Sequence, residues 1–290
     1  MTPVSAEIRA RRADMRRGYG FVGPALLWTA AFFVLPIAIT AVWSLFTRTG
    51  RTLDTSLSVA NYARFFGTPG FLSALVNSLE VAAIVTVVSV LLAYPLAWLI
   101  AFRVPKRLQR LALILAILPF WTSYIVRSYA WLLVLAPNGV VNQSLMATGL
   151  IAEPLSIAYS RTATVIGFVH FFTMLAALTI YASLVQINPR LIQAAGDLGA
   201  SPLQTFLRIV LPLSASGVAV GAFLTFLITI GDYITPQILG GNTDVVLPQL
   251  ILFQITRRGD IPFAAAMSLV LMVVISIGYL AAAKRLRMQA

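Results

Sequence analysis

Long apolar stretches alternate with short polar ones along almost the whole chain. Six of these stretches are mainly apolar over at least about 20 residues, the length that a helix needs to cross a bilayer. The pattern therefore predicts an all-α integral membrane protein with six transmembrane helices. The predicted spans cover roughly 21–46, 76–102, 111–135, 162–186, 209–230 and 262–283.

Two further apolar segments, 139–150 and 245–256, are too short to span and are predicted to be short helices at the outer surface. Simple interfacial packing and a role in gating are both open for them. Pro95 and Pro119 fall inside predicted spans, where proline is expected to kink a helix. Such kinks serve either as hinges or only as packing features.

The distribution of Lys and Arg predicts the orientation of the spans. The segments 1–20, 103–110, 187–208 and 284–290 carry 14 of these residues in 57 positions, whereas 47–75, 136–161 and 231–261 carry 6 in 86. Cytoplasmic loops are the ones enriched in Lys and Arg. We therefore expect a multi-pass membrane protein with both termini in the cytoplasm. This asymmetry explains most of the net charge of +12, so no nucleic-acid partner is expected.

Composition excludes several classes of function. Only 10% of the residues are charged, against about 25% in soluble domains. The chain has no Cys and only His170, which lies in an apolar run, so neither a disulfide scaffold nor a common zinc motif is expected. No G-x-x-x-x-G-K-[ST] phosphate loop occurs. We expect no cofactor in this chain, no metal site and no ATP hydrolysis by the chain itself.

A different pattern stands between the fourth and fifth spans. Asn188-Pro189 is typical of a helix start, and Gly199 of a helix end. Ser201-Pro202-Leu203-Gln204 then predicts a second start with a capping box. The apolar face of the first helix is expected to comprise Leu191, Ile192, Ala195 and Leu198. From these residues alone, a docking surface and a plain connector are equally good interpretations of the helix pair.

The same stretch resembles the EAA motif of ABC-importer permeases. The matching residues are Gln193-Ala194-Ala195, Gly199 and Val210-Leu211-Pro212, with Gln193 where the motif usually has Glu. The resemblance implies that residues 189–207 are coupling helices, which dock on an ATPase subunit that uses the ATP. It further implies a location in the inner membrane of a bacterial cell. The implied partners are a homologous second permease, two ATPase subunits and an extracytoplasmic substrate-binding protein. The implied coupling residues are Gln193, Ala194, Ala195, Gly196, Asp197, Gly199, Ser201 and Pro202.

Two other stretches narrow the branch. They resemble spermidine/putrescine permeases of the PotB type. The first stretch comprises Pro119–Ser123, Arg127–Trp131 and Asn138–Asn142, and the second comprises Gly231–Pro236 and Leu239–Gly241. This implies a type I importer (MetI-like) permease fold over 75–283, preceded by a basic tail at 1–20 and a first span at 21–46, and followed by a tail at 284–290. It implies uptake of a small cationic solute, a polyamine. An opine, an amino-acid derivative or a phosphonate is the alternative.

Charges within spans are costly and usually line a path or pair with one another. Glu80, Arg127 and Asp232 are the candidates. A polyamine needs carboxylates and aromatic faces, although Trp and Tyr are also common as interfacial anchors. Arg127 has the wrong sign for a polycation, so we expect it to pair with Glu80 or Asp232 or to face a partner subunit. The predicted pathway set is Glu80, Trp121, Ser123, Arg127, Tyr129, Asp232 and Thr235.

Two other classes of protein compete with this interpretation. A stand-alone secondary transporter should carry inverted repeats with interrupted helices, and the two halves show no such symmetry. A membrane-embedded enzyme or receptor should place a cluster of His, Asp or Glu at membrane depth, and the spans contain too few.

Overall fold

The computed structural model describes residues 22–50, 52–241 and 244–287. The basic tail predicted at 1–20 and the last three residues of the C-terminal tail lie outside these ranges. The described helices, in chain order, are α1 (Val22–Ser44), α2 (Ala60–Gly67), α3 (Pro69–Trp98), α4 (Lys106–Ile117), α5 (Tyr124–Leu135), α6 (Val140–Ala147), α7 (Arg161–Leu184), α8 (Pro189–Asp197), α9 (Pro202–Thr205), α10 (Leu211–Gly231), α11 (Ile234–Leu239), α12 (Leu247–Phe253) and α13 (Ile261–Arg287).

Six helical segments are long and apolar enough to cross a membrane, which confirms the predicted number of spans. Because each segment is apolar around most of its circumference, many large side chains remain exposed in the single chain, as lipid-facing or subunit-facing residues do. The segments are Val22–Ser44, Pro69–Arg103, Tyr124–Ala147, Arg161–Leu184, Pro202–Gly231 and Ile261–Leu280.

The third span differs from the prediction of one continuous helix over 111–135. Helix α4 ends at Ile117, a short 3-10 turn covers Leu118–Trp121, and Thr122 and Ser123 are extended before α5 begins. Pro119 has no N–H to donate and a fixed φ, so it interrupts the helical ladder here. The expected kink at Pro119 is therefore a full break. Pro95, in contrast, stays inside α3, which continues into a π-helical turn at Leu99–Arg103.

The first of two compact units contains the residues up to Gly67 together with those from Gln254 onward. After α1, the strands β1 (Thr47–Thr49) and β2 (Thr52–Asp54) pair antiparallel, with Arg48 opposite Leu53. Arg64 of α2 forms an ion pair with Asp260 at 2.8 Å and lies 3.9 Å from the ring centre of Phe263 in α13. These contacts tie the segment after the first span to the start of the last one.

The second unit covers Thr68–Phe253 and contains the four central spans. Helices α3, α7 and α10 pack closely, because small residues occur where their backbones approach. Ala93 and Ala97 of α3 share a buried cluster with Ala176 and Ala177 of α7. This use of small residues is typical of helix packing in membranes, where there is little hydrophobic gain from helix association.

Both short apolar segments are helical, as predicted: 139–150 contains α6, and 245–256 contains α12. Asn142 of α6 is fully buried, and its side chain donates to Ala136 O and Leu155 O and accepts from Leu155 N. Ser78 of α3 accepts a hydrogen bond from the N–H of Leu247 at the start of α12. Both helices are thus fixed to the second unit by polar contacts.

Candidate functional site

The helix pair after α7 begins as the sequence predicts. The side chain of Asn188 accepts a hydrogen bond from Arg190 N at 3.0 Å, and Pro189 occupies the first helical position. The pair ends in span five: α9 passes through a π-helical turn at Phe206–Val210 directly into α10. Helix α9 is therefore continuous with a membrane-spanning helix.

The turn between the two helices depends on Gly199. Its φ is +80°, a backbone conformation that is energetically unfavourable for any residue that has a side chain. The bonds from Ala200 N to Ala195 O and from Gly199 N to Gly196 O, both 2.9 Å, form a Schellman motif. The predicted glycine stop is confirmed.

The second start is also confirmed. The N–H of Gln204 donates to Ser201 Oγ at 3.3 Å, and the N–H of Ser201 donates to Gln204 Oε1 at 2.9 Å. Two donors that a helix start otherwise leaves unpaired are satisfied by this capping box.

The predicted apolar face of α8 is divided in the structure. Ala195 is buried and Ile192 is packed against the cluster formed by α3, α7 and Val210, whereas Leu191 is exposed and Leu198 is 87% exposed. The inward face is narrower than the prediction because α8 touches its own chain along one edge only. Leu203 of α9 is exposed like these two leucines, and we call the exposed side of the helix pair its outward side.

Most of the predicted coupling residues lie on this outward side. The exposed ones are Gln193, Ala194, Gly196, Asp197, Gly199, Ser201 and Pro202. Ala195 is the exception, since it packs inward. A Cβ added at Gly196 or Gly199 would meet no atom within 4 Å, so the surface around both glycines is open. A partner could therefore approach the backbone of the helix pair closely.

The second candidate site is a cavity of about 470 Å³ in the second unit. It adjoins two interruptions of helical structure, the break between α4 and α5 and the break at Asp232–Tyr233 between α10 and α11. Interrupted helices of this kind are typical of substrate sites in membrane transporters. The lining residues are Phe120, Thr122, Tyr124, Arg127, Phe171, Ile228, Gly231 and Asp232.

A polar network closes one side of this cavity. The Tyr124 hydroxyl donates to Asp232 Oδ2, and its oxygen accepts a hydrogen bond from the Thr235 hydroxyl at 2.5 Å. Asp232 Oδ1 accepts from Ile234 N at 2.8 Å, which fixes the turn between α10 and α11. Thr235 itself is buried beside the cavity. Within the described ranges, no three His, Asp or Glu side chains come together as a metal site would require.

Arg127 does not form the ion pair predicted with Glu80 or Asp232. Its Nη1 donates to Pro119 O at 3.1 Å, and its guanidinium lies 4.3 Å from the ring centre of Phe171. At the break, Pro119 O also accepts from the N–H of Thr122 at 3.3 Å and from its hydroxyl at 2.7 Å, so Arg127 is a further donor to this carbonyl. The side chain is only 7% exposed, and its Nη2 has no hydrogen-bond partner among the described residues.

Glu80 instead pairs with Arg161 at the start of α7, at 2.6 Å, and takes no part in lining the cavity. Three other predicted pathway residues are exposed rather than lining it: Trp121, Ser123 and Tyr129. Trp121 is 83% exposed, which fits an interfacial anchor or a subunit contact. The cavity thus brings together Arg127 and Asp232 from the predicted set, with Thr235 next to them.

Six lining residues lie outside the predicted pathway set: Phe120, Thr122, Tyr124, Phe171, Ile228 and Gly231. Phe171 stacks on Phe120 with ring centres 4.7 Å apart and meets Tyr124 edge-on. Nothing in the run that contains Phe171 distinguishes it from its neighbour Phe172, which is fully buried. Thr122 had one usable signal, because it is a polar residue within a predicted span.

Comparison with known proteins identifies the family of this chain. Residues 93–288 match the model of the family described as "Binding-protein-dependent transport system inner membrane component". The chain is 32% identical over 251 residues to the "Spermidine/putrescine transport system permease protein PotB" of Salmonella typhimurium (strain SL1344), covering 86% of this chain and 87% of that protein. It is 36% identical over 243 residues to the "Inner membrane ABC transporter permease protein YdcU" of Escherichia coli (strain K12), covering 79% and 76%.

Among solved structures, the chain is similar to one in the "Crystal structure of a bacterial ABC transporter involved in the import of the acidic polysaccharide alginate". The TM-score is 0.76 with 19% identity, over 96% of this chain and 99% of the other. The likeness confirms the predicted type I importer permease fold. The family match covers the end of α3 and all of α4 to α13, including the helix pair and the cavity. With its six spans, this chain belongs to the family of inner membrane components of binding-protein-dependent transport systems, which are non-enzymatic permeases of ABC importers.

Proposed function

We propose that this chain is one of two permease subunits of an ATP-driven importer that takes up a polyamine. The observation that carries the substrate class is the similarity to a spermidine/putrescine permease along 86% of the chain. Substrate would be delivered by an extracytoplasmic binding protein, and ATP would be hydrolysed by two partner ATPase subunits. In this arrangement both termini and the helix pair at 189–207 are cytoplasmic, as the distribution of Lys and Arg indicates.

The helix pair is the proposed docking surface for an ATPase subunit. Its exposed leucines supply apolar contact, and the open glycines allow a partner to approach. Gln193 in place of the usual Glu retains hydrogen bonding but brings no charge, so Asp197 is the acid of α8 available to a basic group of the partner. Because α9 is continuous with α10, movement of the docked ATPase would be passed to the cavity that α10 helps to line.

The cavity is the proposed section of the translocation path. Asp232 offers a carboxylate to an ammonium group, and the rings of Phe120, Tyr124 and Phe171 offer faces for its methylene chain. The Asp232→Asn variant tests this. Asn Oδ1 can still accept from Ile234 N, and its NH2 group, in place of Oδ2, can donate to the Tyr124 hydroxyl oxygen, while the charge is lost. We expect normal assembly but strongly reduced spermidine uptake in reconstituted vesicles. Uptake at the wild-type rate would remove Asp232 from the path.

Arg127 favours a second candidate substrate class. A buried guanidinium with an unpaired Nη2 beside the cavity suits a solute that carries a carboxylate or phosphonate next to its amine. Competition for uptake by putrescine, spermidine, an opine and an aminoalkyl phosphonate separates the two classes. Polyamines should compete best under the first proposal, and the anionic solutes under the second.

A deletion tests the importer assignment itself. Removing residues 189–207 should abolish co-purification of the ATPase subunits, since both proposed docking helices are lost. Insertion of the shortened chain into the membrane serves as the control. Transport that survives this deletion would contradict an ATP-driven mechanism.

A further inference from the structure

A compact basic patch follows the π-helical turn that ends the second span. It consists of Arg103, Lys106, Arg107 and Arg110, all of which are exposed. In the described part of the chain, neither of the two ion pairs involves any of them. Four like charges within eight residues repel one another, so the patch favours an anionic ligand.

The backbone of this patch is held in place. Gln109 Nε2 donates to Ala101 O at 2.9 Å and to Val104 O at 3.1 Å, which closes the turn between the π-helical segment and α4. The Arg103 guanidinium lies 5.4 Å from the ring centre of Trp98. Two of the cations are therefore presented at the start of α4 and a third beside an aromatic ring of the span before it.

An apolar stripe continues directly from the basic patch. Arg107, Leu111 and Ile114 follow at helical spacing on one face of α4, and Leu108, Leu111 and Leu115 share an adjacent line. All four apolar residues are exposed, with fractions between 44% and 59%. One helix thus presents cations at its start and exposed hydrocarbon over the following two turns.

This surface is connected to the helix pair. Trp98 and Phe102 pack against the buried cluster that contains Leu184, Ile187 and Val210. Ile192 of α8 packs against the same cluster. A ligand that fixes the turn at Leu99–Arg103 would therefore also stiffen the support on which α8 rests.

We propose that the basic patch and the apolar stripe of α4 form a binding site for one anionic phospholipid, which supports α8 from the side. The phosphate contacts Arg107 and Arg110, and an acyl chain lies along Leu111 and Ile114. The charge distribution predicts that residues 103–110 are cytoplasmic, which places the patch at the cytoplasmic surface of the membrane. Anionic lipids attract basic residues at this surface. An acidic protein partner would explain the four basic residues. It would not explain the exposed apolar side chains that follow them on the same face of α4.

Trp98 provides the test, because brominated acyl chains quench nearby tryptophans. The complete transporter is reconstituted in phosphatidylcholine vesicles that contain either brominated phosphatidylglycerol or brominated phosphatidylcholine. Subtracting a Trp98→Phe variant isolates the Trp98 signal. We expect stronger quenching by the anionic lipid in the wild type. The Arg107→Gln/Arg110→Gln variant should lower its apparent affinity by about 25-fold, about fivefold for each cation removed.

Arg257→Gln is the matched control, since it removes an exposed cation in the other predicted set of loops and should leave the quenching unchanged. The double variant should also lose any stimulation of coupled ATP hydrolysis by phosphatidylglycerol. Equal quenching by both lipids, competition by inorganic phosphate, or loss of the ATPase subunits from the double variant would each overturn the lipid site. Failure of polyamine uptake with the lipid preference intact would instead contradict only the proposed substrate.

Discussion

The helix pair is stabilised by hydrogen bonds between residues close in the sequence, whereas the cavity is stabilised by hydrogen bonds between residues far apart in it. In the helix pair, Ser201 and Gln204 cap each other across three residues. At the cavity, Tyr124 bonds to Asp232 and Thr235, which are 108 and 111 positions away. The geometry of the pair therefore depends on bonds between residues that are close in the sequence. The cavity depends on several spans at once, so its shape must change whenever those spans rearrange.

The strongest way to break the long-range region is to remove Asp232. An Asp232→Ala substitution leaves the half-buried Tyr124 hydroxyl without its acceptor and opens the turn before α11. We expect a loss of about 2–4 kcal/mol in free energy of unfolding, because both bonds disappear. Thermal unfolding in detergent measures it. The Asp232→Asn variant should retain most of that stability, and an equal loss in both variants would show that the charge itself is what stabilises the site.

The contact between α7 and α10 supports the cavity, since Phe171 and Ile228 reach it from these helices. A Cβ at Gly217 would lie 2.5 Å from Ser183 Cβ and 2.7 Å from Thr179 O. Because a backbone atom is involved, Gly217→Val should push the helices apart and cost about 1–3 kcal/mol.

Gly278→Val is the control for this prediction. It introduces the same side chain into α13 at a position with no atom within 4 Å. The comparison of the two unfolding temperatures isolates the close approach from the change in helix propensity. Equal destabilisation in the two variants would show that α7 and α10 tolerate a wider separation.

The turn of the helix pair is the next most sensitive point. A Gly199→Val substitution places a β-branched residue at φ +80° and should strain the turn by about 1–2 kcal/mol. Membrane insertion should be normal, whereas the ratio of transported solute to hydrolysed ATP should fall, because α8 would dock in the wrong orientation. Gly149→Val introduces the same strain at φ +71° after α6, away from the proposed docking surface. A fall in this ratio for Gly149→Val as well would contradict a specific role for the Gly199 turn.

The contrast between short-range and long-range contacts also explains which features could be predicted from the sequence. Asn188, Gly199 and the Ser201–Gln204 box were predictable, because each acts on backbone groups within a few residues. The partner of Arg127 was not, because Pro119 O becomes available only once the helix breaks, and the sequence pattern indicated a kink. Asp232 was recognised as a candidate because a charged side chain within a span is energetically costly. Its contact with Tyr124, however, depends on how α5 and α11 pack. The number of spans followed from length and apolarity alone.

The smallest expected effect concerns the capping box of the helix pair. Ser201→Ala removes the side-chain acceptor of Gln204 N, while the Ser201 N–H can still donate to Gln204 Oε1. Because the site is exposed and water can replace the lost acceptor, we expect a cost near 0.5–1 kcal/mol, at the lower end of about 0.5–2 for such caps. Hydrogen exchange of the amides of residues 203–205 should rise, while that of α10 should not. Ser201→Asp, which restores an acceptor, should return the exchange to the wild-type level. If exchange in α10 rose together with that in α9, the bonds of the pair would not be local, and the distinction between a self-contained docking element and a cavity built from several spans would fail.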